Sequence, residues 1–351
     1  MTEHVSALRL LMGLGMFSPR SYGSAAGAGG YEQDWRPRWD GRAGRMEVWY
    51  TTLTDPATGT GVWLHHELVS PSDGRDAFAH GWVAAFPPHG PVQCSRFGPS
   101  PWPGAENGFE ARSVRAVPGV LAGRAGALSW DLVEQPVQAP LFTFPAWSWR
   151  HHLLPATHML PAGRAEYTGT LRLGDSILHL ERALGASARI YGQGNARRWG
   201  WLHADLGGGT ILEAVAAVST RPALRSLPPL VFLRLREGED TWPRRPERSA
   251  LGGIGGTRFR AELDLPAWRI TGRTKSRRIS VRVRQPPNAT VVLQYVDPDG
   301  HVAVCHNSAR SDVHVTLQRR VSGDWHPEAE WKLSGMAHAE VGLRPDDKWI
   351  D

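Results

Sequence analysis

Cysteine is nearly missing from this chain of 351 residues: there are two, Cys94 and Cys305, far apart. That pattern excludes a disulfide framework and a cysteine-based metal cluster, so a cytoplasmic setting and no metal site are expected. Long apolar runs are missing too. Val5 to Phe17 is short, carries Arg9 and has no basic region ahead of it, which argues against a signal peptide, and no stretch approaches the roughly 18 apolar residues of a transmembrane helix. Nor is positive charge concentrated, although the formal net charge is +6. The densest groups, around Arg244 and from Arg273 to Arg278, are interrupted by Pro, Glu, Thr or Ser. A nucleic-acid module needs a continuous basic face, so no nucleic-acid partner is expected. Helical periodicity is scarce beyond the N-terminal arm, and 27 Pro break most candidate helices.

What is present is an all-β texture. Short runs rich in Val, Leu, Trp and Thr alternate with turn signals such as Asp55 to Gly59, Pro71 to Gly74, Gly207 to Gly209 and Asp297 to Gly300. Such spacing marks antiparallel sandwiches or barrels with hairpin connections. The length suits two cores better than one. A flexible arm is expected over residues 1–30, a first domain over 31–160 and a second over 161–351, with the Pro-rich stretch from Gln135 to Pro161 as the crossing.

Tryptophan is abundant, with 16 in the chain, and its placement is ordered. Side chains on a strand alternate between faces, so Trp199, Trp201, His203 and Asp205 share one side while Gly200, Leu202, Ala204 and Leu206 share the other. Trp63, His65 and Glu67 form a similar row, as do Asp76, Phe78, His80 and Trp82, and Glu47 shares a face with Trp49. In a barrel, an aromatic and ionisable face is the kind that lines a ligand cavity. The competing reading is core packing, in which indole N–H groups are bonded to neighbouring carboxylates.

Two segments resemble a known family. Arg45-Met-Glu-Val-Trp-Tyr50, followed by the Asp55 turn and Val62-Trp-Leu-His-His-Glu-Leu68, is similar to the Glu-Trp-Trp-Tyr opening of the carotenoid hydratase (hydroxyneurosporene synthase) family. Asn195 with Trp199-Gly-Trp201 resembles the Asn-Trp-Gly and Trp-x-Trp strand shared with tocopherol cyclase-like proteins. The resemblance implies two lipocalin-like (calycin) antiparallel β-barrels that bind isoprenoid- or polyketide-derived molecules between or within them. It also implies hydratase, cyclase or Diels–Alder chemistry. Where the hydratases carry His before Asn and Trp after it, this chain has Gly194 and Ala196. That departure speaks against water addition to a carotenoid.

For an enzyme of this kind the expected logic is protonation of an alkene in a dry pocket, without a cofactor. Desolvation raises a carboxylic acid's pKa and keeps its proton available near neutral pH. Asp205, Glu213 and Glu47 are the candidate catalytic acids, with Glu67 a further carboxyl, and His203 or His65 the group that accepts or returns the proton. Trp49, Trp63, His65, Glu67, His80, Trp82, Tyr191, Gln193, Asn195, Trp199 and Trp201 are the candidate ligand-lining residues. A pericyclic catalyst needs only a shaped cavity and one donor, such as Asn195, Gln193 or an indole N–H. The alternative is a non-catalytic carrier of a hydrophobic ligand. A carrier should satisfy every buried carboxylate, whereas an enzyme should leave one at the cavity floor without a structural partner.

Overall fold

The computed structural model describes residues 28–151, 154–222, 224–245, 250 and 258–345. The arm expected over residues 1–30, with its apolar run, lies outside the described residues up to residue 27. Its last residues open a helix, α1 (Ala28–Trp35).

The next ten strands are β1 (Arg45–Thr54), β2 (Gly61–Ser70), β3 (Phe78–Phe86), β4 (Gln93–Pro101), β5 (Phe109–Ala111), β6 (Val114–Val117), β7 (Val120–Ala125), β8 (Leu128–Pro136), β9 (Ala156–Leu173) and β10 (Ser176–Gly192). They form one antiparallel sheet ordered β4-β3-β2-β1-β10-β9-β8-β7-β6-β5. The second sheet comprises β11 (Arg198–Gly207), β12 (Thr210–Val218), β13 (Leu230–Glu237), β14 (Asp240–Trp242), β15 (Arg258–Glu262), β16 (Ala267–Arg273), β17 (Arg277–Arg284), β18 (Val291–Val296), β19 (Val302–Val321) and β20 (Asp324–Leu343). Its order is β14-β13-β12-β11-β20-β19-β17-β16-β15, with β18 paired to β19. Each sheet curls around its own core, giving the two lipocalin-like barrels expected from the sequence.

The division between the sheets is not near residue 160. That position lies inside β9, which pairs with β8 and β10 of the first sheet, so the chain leaves the first sheet only after Gly192. The Pro-rich stretch misleads because it is an excursion rather than a linker. It carries α2 (Ala146–Arg150), lends the second barrel its carbonyls Ala139 and Pro140 as acceptors for Arg236, and stacks Phe144 on Phe232 before returning. Proline loads the sequence like a boundary, yet the chain's hydrogen bonds go back to the sheet it came from.

Inside the first barrel lie Trp49, Leu53, Val62, Leu64, Leu68, Val83, Phe109 and Trp130; inside the second lie Leu202, Ala204, Leu212, Leu233, Trp268 and Ile270. Four strands are buried on both faces almost throughout: β1, β2, β3 and β11. A strand at the outer wall of a barrel normally alternates buried and exposed, as β8 does. Double burial arises where one barrel's wall packs on the other's. The resulting seam holds Trp63, Trp82, Trp199 and Tyr295 in one apolar cluster and Val48, Tyr50, Leu160 and Trp201 in another. Polar contacts cross it as well: Thr54 Oγ1 lies 3.1 Å from His338 Nε2, Arg164 Nε donates to Asp205 at 2.8 Å, and the Ser72 N–H donates to the Pro298 carbonyl at 2.8 Å.

Candidate functional site in the seam between the barrels

The alternation expected along the strands is present, but the aromatic rows face out of their barrels. On β11 the inner face is Leu202, Ala204 and Leu206, and Trp199, Trp201 and His203 look into the seam. On β2 the inner face is Val62, Leu64 and Leu68, and Trp63, His65 and Glu67 look outward. The rows on β2, β3 and β11 therefore line the seam, while the Glu47–Trp49 row and other rings such as Phe109 and Trp130 fill the first lumen. On β2 and β11 the aliphatic face closes the lumen and the ring-bearing face is left for the neighbouring barrel.

Strand register sets the neighbours. The turn of three glycines Gly207, Gly208 and Gly209, all with positive φ, folds β12 back on β11 and sets His203 directly opposite Glu213. On the other side, β20 sets His338 opposite His203 and Glu340 opposite Trp201. In the first barrel, the β1–β2 hairpin puts Tyr50 opposite His65, and β3 puts Trp82 opposite His65. Trp199 lies flat over Gly342, where any Cβ would collide with the indole.

From these rows a buried network assembles. Glu213 is fully buried and accepts the Trp201 indole N–H at 2.6 Å on one oxygen, while His203 Nδ1 lies 2.9 Å from the other. Burial pushes the Glu213 carboxyl above the usual range, with His203 and the indole opposing that shift. The first barrel brings Tyr50, whose hydroxyl lies 2.8 Å from His158 Nε2; His158 Nδ1 is held 2.8 Å from Thr143 Oγ1. His158 Nε2 is 3.9 Å from Glu213, so the two halves meet there. Burial, with His203 nearby, pushes His158 down to about 3, and burial keeps the Tyr50 hydroxyl protonated. The Tyr50 ring meets Trp201 edge-on at 5.2 Å.

Further along the seam, His65 Nε2 and His80 Nε2 lie 3.2 and 3.6 Å from Glu67 Oε2. Burial lowers both histidines to about 4 and raises Glu67. His65 stacks on Tyr295 at 5.3 Å and meets Trp82 at 5.4 Å. Partly exposed apolar side chains, Ile190 from the first barrel and Val215 and Ala217 from the second, border this seam beside Trp199 and Trp201.

The remaining expected residues do not join this network. Asp205 sits at the rim, ion-paired to Arg164 and accepting the Gly207 N–H, because a strand's last turn-ward position points to its own hairpin. Glu47 and Trp49 face the first lumen. Glu47 is paired with a buried Arg189 and accepts the backbone N–H groups of Arg38 and Trp39 at 2.9 Å; Trp49 donates to the Trp35 carbonyl at 3.0 Å. Together these groups fasten the segment after α1 into the barrel mouth. Tyr191 packs on Trp149 and Met159, and Gln193 is exposed. Asn195 gives both its backbone and amide N–H groups to Asp297, at 2.8 and 2.7 Å, pinning the inter-sheet segment to the β18–β19 turn.

Tyr50, His158, Thr143, His338, Glu340 and Tyr295 were not singled out by the sequence. Two signals were available: a hairpin closing at Asp55 to Thr60 places Tyr50 beside His65, and one centred on Gly208 places Glu213 beside His203. No local pattern announces His158, His338 or Glu340: His158 meets Tyr50 across 108 residues, and His338 and Glu340 reach β11 through the pairing with β20, more than a hundred residues on. A surface groove of about 580 Å³ on the second barrel, lined by residues such as Glu262, Trp268, Arg269 and His314, contains none of the expected site residues. Among the described residues no cluster of His, Cys, Asp and Glu has the arrangement of a metal site. No helix among them is long and apolar enough to cross a membrane.

Comparison with known proteins gives this architecture its relatives. Uncharacterized proteins from two strains of Mycobacterium tuberculosis, MT0513 and Rv0493c, are each 44% identical over 310 residues, covering 88% of this chain and 89% of theirs. Among solved structures, CghA with Sch210972 superposes with a TM-score of 0.55 at 13% identity, over 86% of this chain and 88% of its own. Kievitone hydratase from Nectria haematococca superposes with a TM-score of 0.53 at 7% identity, over 86% and 89%. At such identities the likeness is one of fold. The tocopherol cyclase-like family model matches residues 147–343, from α2 through β20. With more than half of the chain matched, this protein belongs to the tocopherol cyclase-like family.

Proposed function

We propose that this protein is a cofactor-independent enzyme of the lyase or isomerase type. It takes a hydrophobic isoprenoid- or polyketide-like small molecule into the seam between its barrels and cyclises, hydrates or isomerises it by proton transfer. The observation that carries this reading is the convergence of Tyr50 and His158 from one barrel with Glu213 and His203 from the other, all buried, among tryptophan rings. Neither barrel holds the constellation alone.

The chemistry follows from the environment. A carboxyl whose pKa is raised by burial retains a proton near neutral pH and can deliver it to an alkene. With its Nδ1–H turned to Glu213, His203 presents Nε2 as the base that takes a proton back. The faces of Trp199 and Trp201 stabilise developing positive charge by about 0.5–2 kcal/mol each. Ile190, Val215 and Ala217 form an apolar approach for the ligand. The solved structures of similar fold include a hydratase and a protein holding a small molecule, which agrees with this class of chemistry.

A non-catalytic carrier is the second reading, and one observation favours it: both Glu213 oxygens have N–H partners, so this carboxylate is not left at a cavity floor without a partner. The two readings separate in one experiment. Protein purified from its own host is examined by native mass spectrometry for a bound molecule, and the host's lipid extract is then incubated with the protein in D2O. An enzyme yields a product carrying deuterium at carbon, and Glu213→Gln lowers its formation by about 10²–10⁴-fold. A carrier retains the molecule unchanged. Deuterated product formed equally by wild type and Glu213→Gln rejects the assignment of Glu213.

A further inference from the structure

Glu340 stands on β20 between the two tryptophans of β11. Trp199 Nε1 donates to one of its oxygens at 2.8 Å; Asn307 Nδ2 donates to the other at 3.2 Å, with the Cys305 thiol 3.5 Å away. All of these neighbours are buried, and Glu340 points into the seam, since Ala339 and Val341 on either side of it face the second barrel's core. Glu340 itself is partly exposed. A carboxylate that keeps accessible surface among buried neighbours is one that a small molecule can reach.

Tyr295 of β18 faces the same place. Its ring stacks on His65 and Trp199 and meets Trp82 edge-on at 5.2 Å, and its nearest electrostatic neighbours are Cys305 and Glu340. The residue is 4% exposed, and among the described residues its hydroxyl has no oxygen or nitrogen partner; its one side-chain hydrogen-bonding neighbour is the Cys305 thiol, a weak partner. A buried hydroxyl with only a thiol to bond to keeps capacity for a stronger oxygen partner.

We propose that Glu340 and Tyr295 form an oxygen-binding subsite, so that the ligand is an apolar molecule bearing a hydroxyl or carbonyl oxygen rather than a bare hydrocarbon. A ligand hydroxyl donates to the Glu340 carboxylate and accepts from the Tyr295 hydroxyl; a carbonyl accepts from Tyr295 alone. A hydrocarbon answers neither group. The inference rests on the seam being the ligand site, and it narrows the substrate class of that site.

The test titrates the full chain by tryptophan fluorescence with two probes of one isoprenoid skeleton, the alcohol farnesol and the hydrocarbon farnesene. Wild type is expected to prefer farnesol by about tenfold, the worth of one completed buried hydrogen bond. Tyr295→Phe keeps the ring and its stacking, and it should abolish that preference without changing farnesene affinity. Glu340→Gln should weaken farnesol alone. Equal affinity for the two probes in wild type, or a preference that survives both substitutions, overturns the subsite while leaving the seam as an apolar site. Binding of neither probe to wild type overturns the seam as the ligand site, and the subsite with it.

Discussion

His66 offers a measurable consequence of how the first barrel is filled. Its ring lies inside the lumen among Phe97, Phe109 and Trp130, and its Nδ1 is 3.1 Å from the Trp49 carbonyl. A carbonyl only accepts, so Nδ1 carries the proton and the neutral ring donates it. Burial, partly opposed by that hydrogen bond, pushes His66 down to about 3. The unfolded chain binds the proton near the ordinary value of about 6.5, so acid favours unfolding. The stability this neutral histidine contributes is fully present above about pH 6.5 and is lost as the pH falls towards 3. At pH 5 the loss is about 2 kcal/mol, from roughly 1.5 pH units at 1.36 kcal/mol each. His66→Asn keeps an N–H for the Trp49 carbonyl and cannot titrate. Urea unfolding of both proteins at pH 7.5 and pH 5 should therefore show wild type losing about 2 kcal/mol more than the variant over that interval. The variant's lower stability at pH 7.5, from lost packing, cancels in the comparison. An identical pH dependence in the two proteins would refute a neutral, desolvated His66.

Two further outcomes follow from contacts around the seam and the barrel mouth. A Cβ at Gly61 would collide with the backbone carbonyl of Ala309 across the barrel–barrel contact, so Gly61→Ala should destabilise the protein by about 1–3 kcal/mol in urea unfolding, as overpacking does. A change below a few tenths would mean that the barrels do not touch there. Glu47→Ala leaves Arg189 buried without its carboxylate and should cost about 3–5 kcal/mol. It should also speed amide hydrogen exchange at Arg38 and Trp39, which lose their acceptor; unchanged exchange at those amides would reject the clasp.

Much of the site was within reach of the sequence because hairpins are local. The glycines at 207–209 mark the turn that folds β12 back on β11, and a bulge between Asp205 and Gly207 completes the register that pairs His203 with Glu213. The same argument at Asp55 pairs Tyr50 with His65. Asp205 shares a face with Trp201 and His203, but a shared face does not fix depth: two residues further along, the strand has reached its turn and the side chain meets Arg164 at the rim. The surroundings of Glu47 were illegible for another reason. A carboxylate beside a tryptophan reads the same whether its partner is a substrate or an arginine, and Arg189 is brought to it only by the pairing of β1 with β10. Asn195 matched a family position, yet its amide is engaged by Asp297, whose place opposite it depends on the second barrel being closed.

The sequence by itself determined that the chain is built of antiparallel strands, that rows of tryptophan, histidine and carboxylate residues share a strand face, and that its length supports two cores. These are local properties, since a period of two and a turn residue act over a few positions. Which face points inward was decided only by tertiary structure. Alternation defines two sides without naming the inner one, and a strand wedged between two barrels has apolar partners on both. Once the barrels pack, the aliphatic faces of β2 and β11 close on their own lumens, and the aromatic and ionisable faces of those strands meet in the seam. There the histidines, carboxylates and tryptophans lie at hydrogen-bonding and ring-contact distances that neither barrel could have set alone.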